Sequence, residues 1–118
     1  MAPEQPLRNL LTALADDVRL EMVRRLATTA GDQPCDALYD EIAKSTASYH
    51  FTTLREAGLI EQYRHEGRKL NRLRRDEADA IAPGLLDAVV AAVVRGRSQA
   101  DAAPRMITTL DDKTVDPG

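Results

Sequence analysis

The sequence predicts a mainly α fold with a small β-hairpin, and three observations lead there. Hydrophobic residues make up 43% of the 118 residues but aromatics only 3%. The core must therefore come from Leu, Val, Ile, Met and many Ala, a mixture that favours helices over a large sheet. Apolar residues recur at helical spacing over most of the chain, and the two short segments of alternating character flank a glycine turn. The length allows one ordinary domain.

Each element has its source in local pattern. Leu7, Leu10, Leu11 and Leu14 fall at i, i+3, i+4 and i+7, one apolar stripe on a short helix over 6–14. Asp16 and Asp17 supply cap oxygens and negative charge to a second helix, which carries Val18, Met22, Val23, Leu26 and Ala27 and stops near Ala30 and Gly31. Gly31, Asp32, Gln33 and Pro34 read as a loop. A short third helix is expected next, capped by Asp36 and turning Leu38, Ile42 and Ala43 inward. Only a turn at Lys44 separates it from a fourth helix over 45–57, which ends at Gly58. On a helical wheel Ala47, Phe51 and Leu54 of that fourth helix share the inner face, while Ser45, Thr46, Tyr49, Thr52, Thr53 and Glu56 look outward. Strands over 59–64 and 69–74 flank the turn His65-Glu66-Gly67-Arg68, where Gly67 offers the positive φ of a tight hairpin. Asp76 can cap the next segment, Pro83 and Gly84 interrupt it, and 85–94 forms a last helix. Residues 1–94 thus read as one domain. The remainder, 95–118, holds only a weak apolar cluster at Met106, Ile107 and Leu110 and reads as a weakly structured tail.

A net charge of −3 excludes a simple polybasic binder, but the charge is unevenly placed. Between Lys44 and Arg75 eight Lys or Arg stand against three Glu, so that segment is +5 and the rest of the chain −8. Affinity for DNA needs only a locally positive surface. A short helix, a tight turn, a helix with a small polar outer face and then a basic hairpin is the order of a winged helix-turn-helix, a three-helix core plus wing. The helix over 45–57 can enter a major groove while hairpin 60–74 reaches the flanking phosphates. A run such as Arg72, Arg74 and Arg75 is also the pattern of a solvated hairpin edge.

Other chemistries fit poorly. The sequence has no paired carboxylates with a pocket, Gly-rich phosphate loop or nucleophile–base pair, and Ser48 and His50, two apart on a helix, do not face each other. No catalytic residue and no cofactor is expected. The single cysteine, Cys35, allows no intrachain disulfide. The N-terminus shows no basic segment leading into an apolar one, and the apolar stretch 85–94 is far short of the about 20 residues that span a bilayer. A cytoplasmic protein that does not enter membranes is expected.

Three blocks carry a family likeness: Leu14-Ala15-Asp16-x-x-Arg19-Leu20-x-Met22-Val23-x-x-Leu26, then Ser45 through Phe51 with Leu54-Arg55-Glu56-Ala57-Gly58-Leu59-Ile60, then Glu66-Gly67-Arg68. Over about 7–94 the chain resembles the ArsR/SmtB family, small dimeric winged-helix regulators of bacterial transcription that are mostly repressors. The resemblance implies DNA contacts at Lys44, Ser45, Ser48 and Tyr49 and, on the wing, at Arg64, Arg68 and Lys69. Thr46 and His50 join this candidate set from the same helix. Tyr49 stands where relatives more often have histidine, so no operator sequence carries over. The chain departs from the family's metal sensors. Cys35 matches the second cysteine of a Cys-x-Cys site, but Gln33 stands in place of the first, and 76–94 contains no histidine. One thiolate cannot close a zinc or thiolate site, so no metal is expected. His50 and His65 read as polar surface residues, and Cys35 as a small buried hydrophobe, with oxidation or an intersubunit bond left open.

The terminal helices carry more apolar surface than a three-helix core needs. Each large aliphatic side chain left in water forfeits roughly 1.5–3 kcal/mol. Leu7, Leu10, Leu11, Leu14, Leu86, Val89, Val90 and Val93 are therefore the candidate dimer interface, the tail folding back over them being the alternative. A two-fold dimer sets two recognition helices about 34–36 Å apart and implies an inverted-repeat operator. The expectation is a homodimeric, sequence-specific regulator of transcription on double-stranded DNA, acting as a repressor. A small organic effector between the dimer helices is a further partner class that the resemblance leaves open. The alternative is a winged-helix protein–protein interaction module without DNA binding.

Overall fold

In the computed structural model, which describes residues 4–102 with side chains to 97, Pro6 lies in the first turn of α1 (Gln5–Leu14), where a missing N–H costs nothing. Asp16 caps α2 (Asp17–Thr28), its carboxylate accepting the Arg19 amide at 3.0 Å. Gln33–Pro34, expected as loop, forms a two-residue strand β1 that pairs Gln33 with Asn71 and Pro34 with Leu70. Proline is tolerated there because β1 is an edge strand.

The third helix does not form as expected. A single 3-10 turn, Cys35–Ala37, is followed by irregular chain up to Ala43. Arg25 of α2 accounts for this: it donates to the Ala37 carbonyl at 3.1 Å and pairs with the Asp40 carboxylate, so tertiary partners replace the helical ladder. Leu38 is buried all the same, and Glu41 takes a left-handed φ of 52° to turn the chain into α3 (Lys44–Glu56). Ala47, Phe51 and Leu54 point inward from α3, as the wheel requires.

The wing is the hairpin of β2 (Ile60–His65) and β3 (Arg68–Leu73), in register from Ile60 opposite Leu73 to His65 opposite Arg68. Its two-residue turn has positive φ at both Glu66 (52°) and Gly67 (79°), the geometry that matches the twist of a tight hairpin. The sheet is antiparallel in the order β1-β3-β2. Asp76 sits in the first turn of α4 (Arg75–Ile81) rather than capping it. The last helix, α5 (Leu85–Ala102), continues past the expected end at Val94. The rest of the expected tail, 103–118, lies outside the described residues.

Leu10, Met22, Leu38, Leu54, Leu59, Ile60 and Leu86 form the centre of one core. This corrects part of the expected dimer surface, since Leu10, Leu14 and Leu86 are buried inside the protomer by α2, α4 and their neighbours. Leu7 is half-buried and Leu11 is 46% exposed on α1; Val89, Val90 and Val93 are half-buried on α5. No helix among the described residues is long and apolar enough to cross a membrane.

Glu21 accepts from Arg24 and Arg25 and joins α2 to α5 through an ion pair with Arg97, each at 2.7 Å. The Arg24 hydrogen bond, helped by Arg25 and outweighing burial, holds the Glu21 carboxyl at about 2 instead of 4.5. A carboxylate lowered in this way stabilises the fold fully above pH 4.5 and loses that contribution as pH falls toward 2. Glu21→Gln is therefore expected to unfold at lower urea than wild type at pH 7, with the gap closing across that acid range. An equal gap at both ends would contradict the assignment. In the core, Leu54→Ala is expected to cost about 2–5 kcal/mol in the same urea titrations.

Candidate nucleic-acid interface

The start of α3 is uncapped and exposed. Its N-cap is Ala43, which has no side-chain oxygen, so no cap occupies the leading backbone N–H groups. Lys44, Ser45, Thr46, Ser48 and Tyr49 are all exposed around this end, Tyr49 at 63%. Short hydroxyl side chains permit close approach, and free N–H groups with a lysine suit a phosphate.

The basic segment divides into two sets of cations. Arg72 pairs with Asp32 at 3.2 Å and Glu61 at 3.5 Å, Arg74 with Glu77 at 2.7 Å, and Arg75 with Asp87 at 2.9 Å. Lys44, Arg55, Arg64, Arg68 and Lys69 form no ion pair among the described residues, and all five are exposed. These same five line one cleft of about 460 Å³ between α3 and the wing, with Ser48, Thr52 and Gln62 beside them. Tyr39 and Phe51, edge to face at 6.1 Å, lie against its floor. The charge count alone could not separate the two sets, and it left Arg55, Thr52 and Gln62 out of the expected site.

A chain of hydrogen bonds joins the wing to α3. Arg55 donates to Gln62 Oε1 at 2.9 Å, Gln62 Nε2 donates to Asn71 Oδ1 at 2.9 Å, and Asn71 Nδ2 donates to the Gln33 carbonyl at 3.1 Å. Asn71 is fully buried, so this satisfied amide anchors all three strands. Cys35 accepts weakly from the same two amides, at 3.7 Å and 3.4 Å, and is half-buried instead of sealed in the core. Among the described residues no three His, Cys, Asp or Glu gather as a metal site.

His50 is the correction on α3. It was expected on the DNA-facing surface, but it is 8% exposed and turned to the protein interior. Its Nδ1 meets Arg19 Nη1 at 2.8 Å, and Asp16 Oδ2 stands 3.7 Å away. The cause is a partner 31 residues distant that local pattern does not reveal. Burial pushes the Asp16 carboxyl up, but the hydrogen bond from the Arg19 amide and the Arg19 charge prevail and hold it below its ordinary range. His65, by contrast, is exposed at the wing tip.

A family model described as a helix-turn-helix domain matches residues 14–63, from the end of α1 into β2. The chain is 36% identical over 86 residues to the HTH-type transcriptional regulator YceK of Bacillus subtilis (strain 168), covering 71% of this chain and 86% of that one. An ArsR-like transcriptional regulator from Rhodococcus sp. RHA1 has the same fold (TM-score 0.57, 21% identity, 84% of this chain and 92% of that chain covered). The homodimeric winged helix-turn-helix DNA-binding domain of Mb0332 from Mycobacterium bovis, a possible ArsR-family regulator, is also similar (TM-score 0.58, 25% identity, 80% and 82% covered). YceK and the Rhodococcus protein carry the names of transcriptional regulators, and Mb0332 that of a DNA-binding domain. The chain belongs to the HTH-type transcriptional regulators, with the winged helix-turn-helix fold of ArsR-family DNA-binding domains.

Proposed function

We propose that this regulator is a homodimeric repressor that binds an inverted-repeat operator, with α3 in the major groove and the wing on the flanking backbone. The observation that carries the reading is the sorting of cations, five free ones converging on the cleft between α3 and the wing while Arg72, Arg74 and Arg75 are neutralised elsewhere. Lys44, Arg55, Arg64, Arg68 and Lys69 then meet phosphates, and Ser45, Thr46, Ser48 and Tyr49 face base edges. Repression follows the family resemblance, and a bound dimer excludes other proteins from the DNA it covers.

The dimer reading rests on Leu7, Leu11, Val93 and Val94, an apolar set on α1 and α5 that the protomer core does not take up. The similar Mb0332 domain is itself homodimeric. Joining two copies along these helices spaces the two α3 helices for successive turns of one DNA face, about 34–36 Å.

Fluorescence anisotropy on DNA from upstream of the gene tests the first part. Replacing Arg68 and Lys69 by Ala is expected to weaken binding to every sequence and to lower the salt slope by about 0.9 for each phosphate no longer engaged. Ser48→Ala or Tyr49→Ala is expected instead to change sequence preference, by roughly 1–3 kcal/mol at an affected base pair. A signal that is absent or insensitive to salt on every fragment would contradict DNA recognition. For assembly, sedimentation equilibrium is expected to give two chains for wild type and one for Leu11→Glu with Val93→Glu; a monomeric wild type would contradict the dimer.

A further inference from the structure

Arg19 is a buried cation, 7% exposed, whose guanidinium is met by neutral acceptors from two other elements. Nε donates to the Ala13 carbonyl at 2.7 Å and Nη2 to the Thr12 carbonyl at 3.4 Å, which also accepts the Ala15 amide at 3.2 Å; both lie in the last turn of α1, where the helix dipole favours a cation. Nη1 lies 2.8 Å from His50 Nδ1, midway along α3. A guanidinium can only donate, so at this contact Nδ1 must present its lone pair. His50 is then the neutral imidazole with its hydrogen on Nε2.

Three groups face this imidazole: Arg19 from α2, Asp16 from the cap of α2, and Tyr49 from α3, whose ring packs edge to face at 5.3 Å. A proton from solvent arriving on Nδ1 removes the acceptor and sets two donors, both cationic, against each other. The Asp16 carboxylate, 3.7 Å from the same nitrogen, offers the new N–H its nearest acceptor. His50 thus has two discrete partners, Arg19 when neutral and Asp16 when protonated. Tyr49 packs on the imidazole and is exposed on the outer side of α3.

We propose that Arg19 is a positioning residue for DNA recognition: through neutral His50 it holds α3 against the end of α1, and protonation of His50 releases that hold. The inference rests on α3 being the DNA-reading helix. Ring ¹⁵N NMR of the wild-type protein reads the first half without DNA. At about pH 8 the expected signature is His50 with Nε2 protonated and Nδ1 bare; a proton on Nδ1 would overturn the inference.

Anisotropy with operator DNA reads the second half. Wild-type affinity is expected to fall about fivefold or more between about pH 8 and pH 6. His50→Asn, whose Oδ1 stands near the Nδ1 position and does not titrate, is expected to bind like wild type at pH 8 and to keep its affinity at pH 6. His65 is present in both proteins and drops out of the comparison. Arg19→Lys keeps the charge without the fork and is expected to bind more weakly at pH 8, with the pH dependence flattened. Identical pH profiles for wild type and His50→Asn would overturn the inference. The stated tautomer in a wild type that binds no DNA at any pH would overturn the DNA-reading role of α3, and this use of Arg19 with it.

Discussion

A guanidinium taken out of water has to be met by acceptors held in place, because an unmatched charge costs several kcal/mol in a protein interior. Arg19 makes that demand of the fold, and the two carbonyls of α1 and the imidazole of α3 answer it. Three helices therefore meet at one side chain. Asp16 reinforces the junction from below, capping α2 through the Arg19 amide while standing beside His50. The consequence for function is geometric. The outer face of α3 keeps a fixed bearing relative to α1, whose Leu7 and Leu11 edge remains uncovered by the protomer.

The second constraint is electrostatic. Arg72, Arg74 and Arg75 find carboxylates within the chain, and Arg72 also lies over the Tyr63 ring at 4.8 Å while Tyr63 donates to Asp32. These exposed pairs add little stability individually. Their larger effect is on charge placement, since the cations of 44–75 that keep no carboxylate partner among the described residues are the five of the α3–wing cleft. The Arg55–Gln62–Asn71–Gln33 chain of hydrogen bonds ties the two sides of that cleft together. An acidic protein can in this way present a basic reading surface.

Much of this was legible in the sequence because burial leaves a periodic trace. The Leu stripe of α1, the inward Ala47, Phe51 and Leu54 of α3, and Gly67 at the wing turn are local signals, and each has the place its pattern predicts. What stayed hidden depends on partners far along the chain. Strand β1 has two residues, too few to alternate, and exists only because β3 is there to pair with it. The third helix gave way to a 3-10 turn because Arg25 reaches Ala37 and Asp40 from another helix. His50 borders the inner face of α3, but its polar character suggested solvent until Arg19 supplied a buried partner. For the same reason the count of charges in 44–75 gave the correct sum and no hint of its partition, since Arg72 and Asp32 are 40 residues apart.

On the proposed reading the unpaired cations, and not the basic segment as a whole, make the DNA surface. The salt dependence of operator binding decides this when Arg64→Gln is set beside Arg74→Gln, two changes of equal charge in the same wing region. A slope lower by about 0.9 is expected for Arg64→Gln, one phosphate having been released, and an unchanged slope for Arg74→Gln, whose arginine is already held by Glu77. An equal drop in slope for the two variants would contradict the reading.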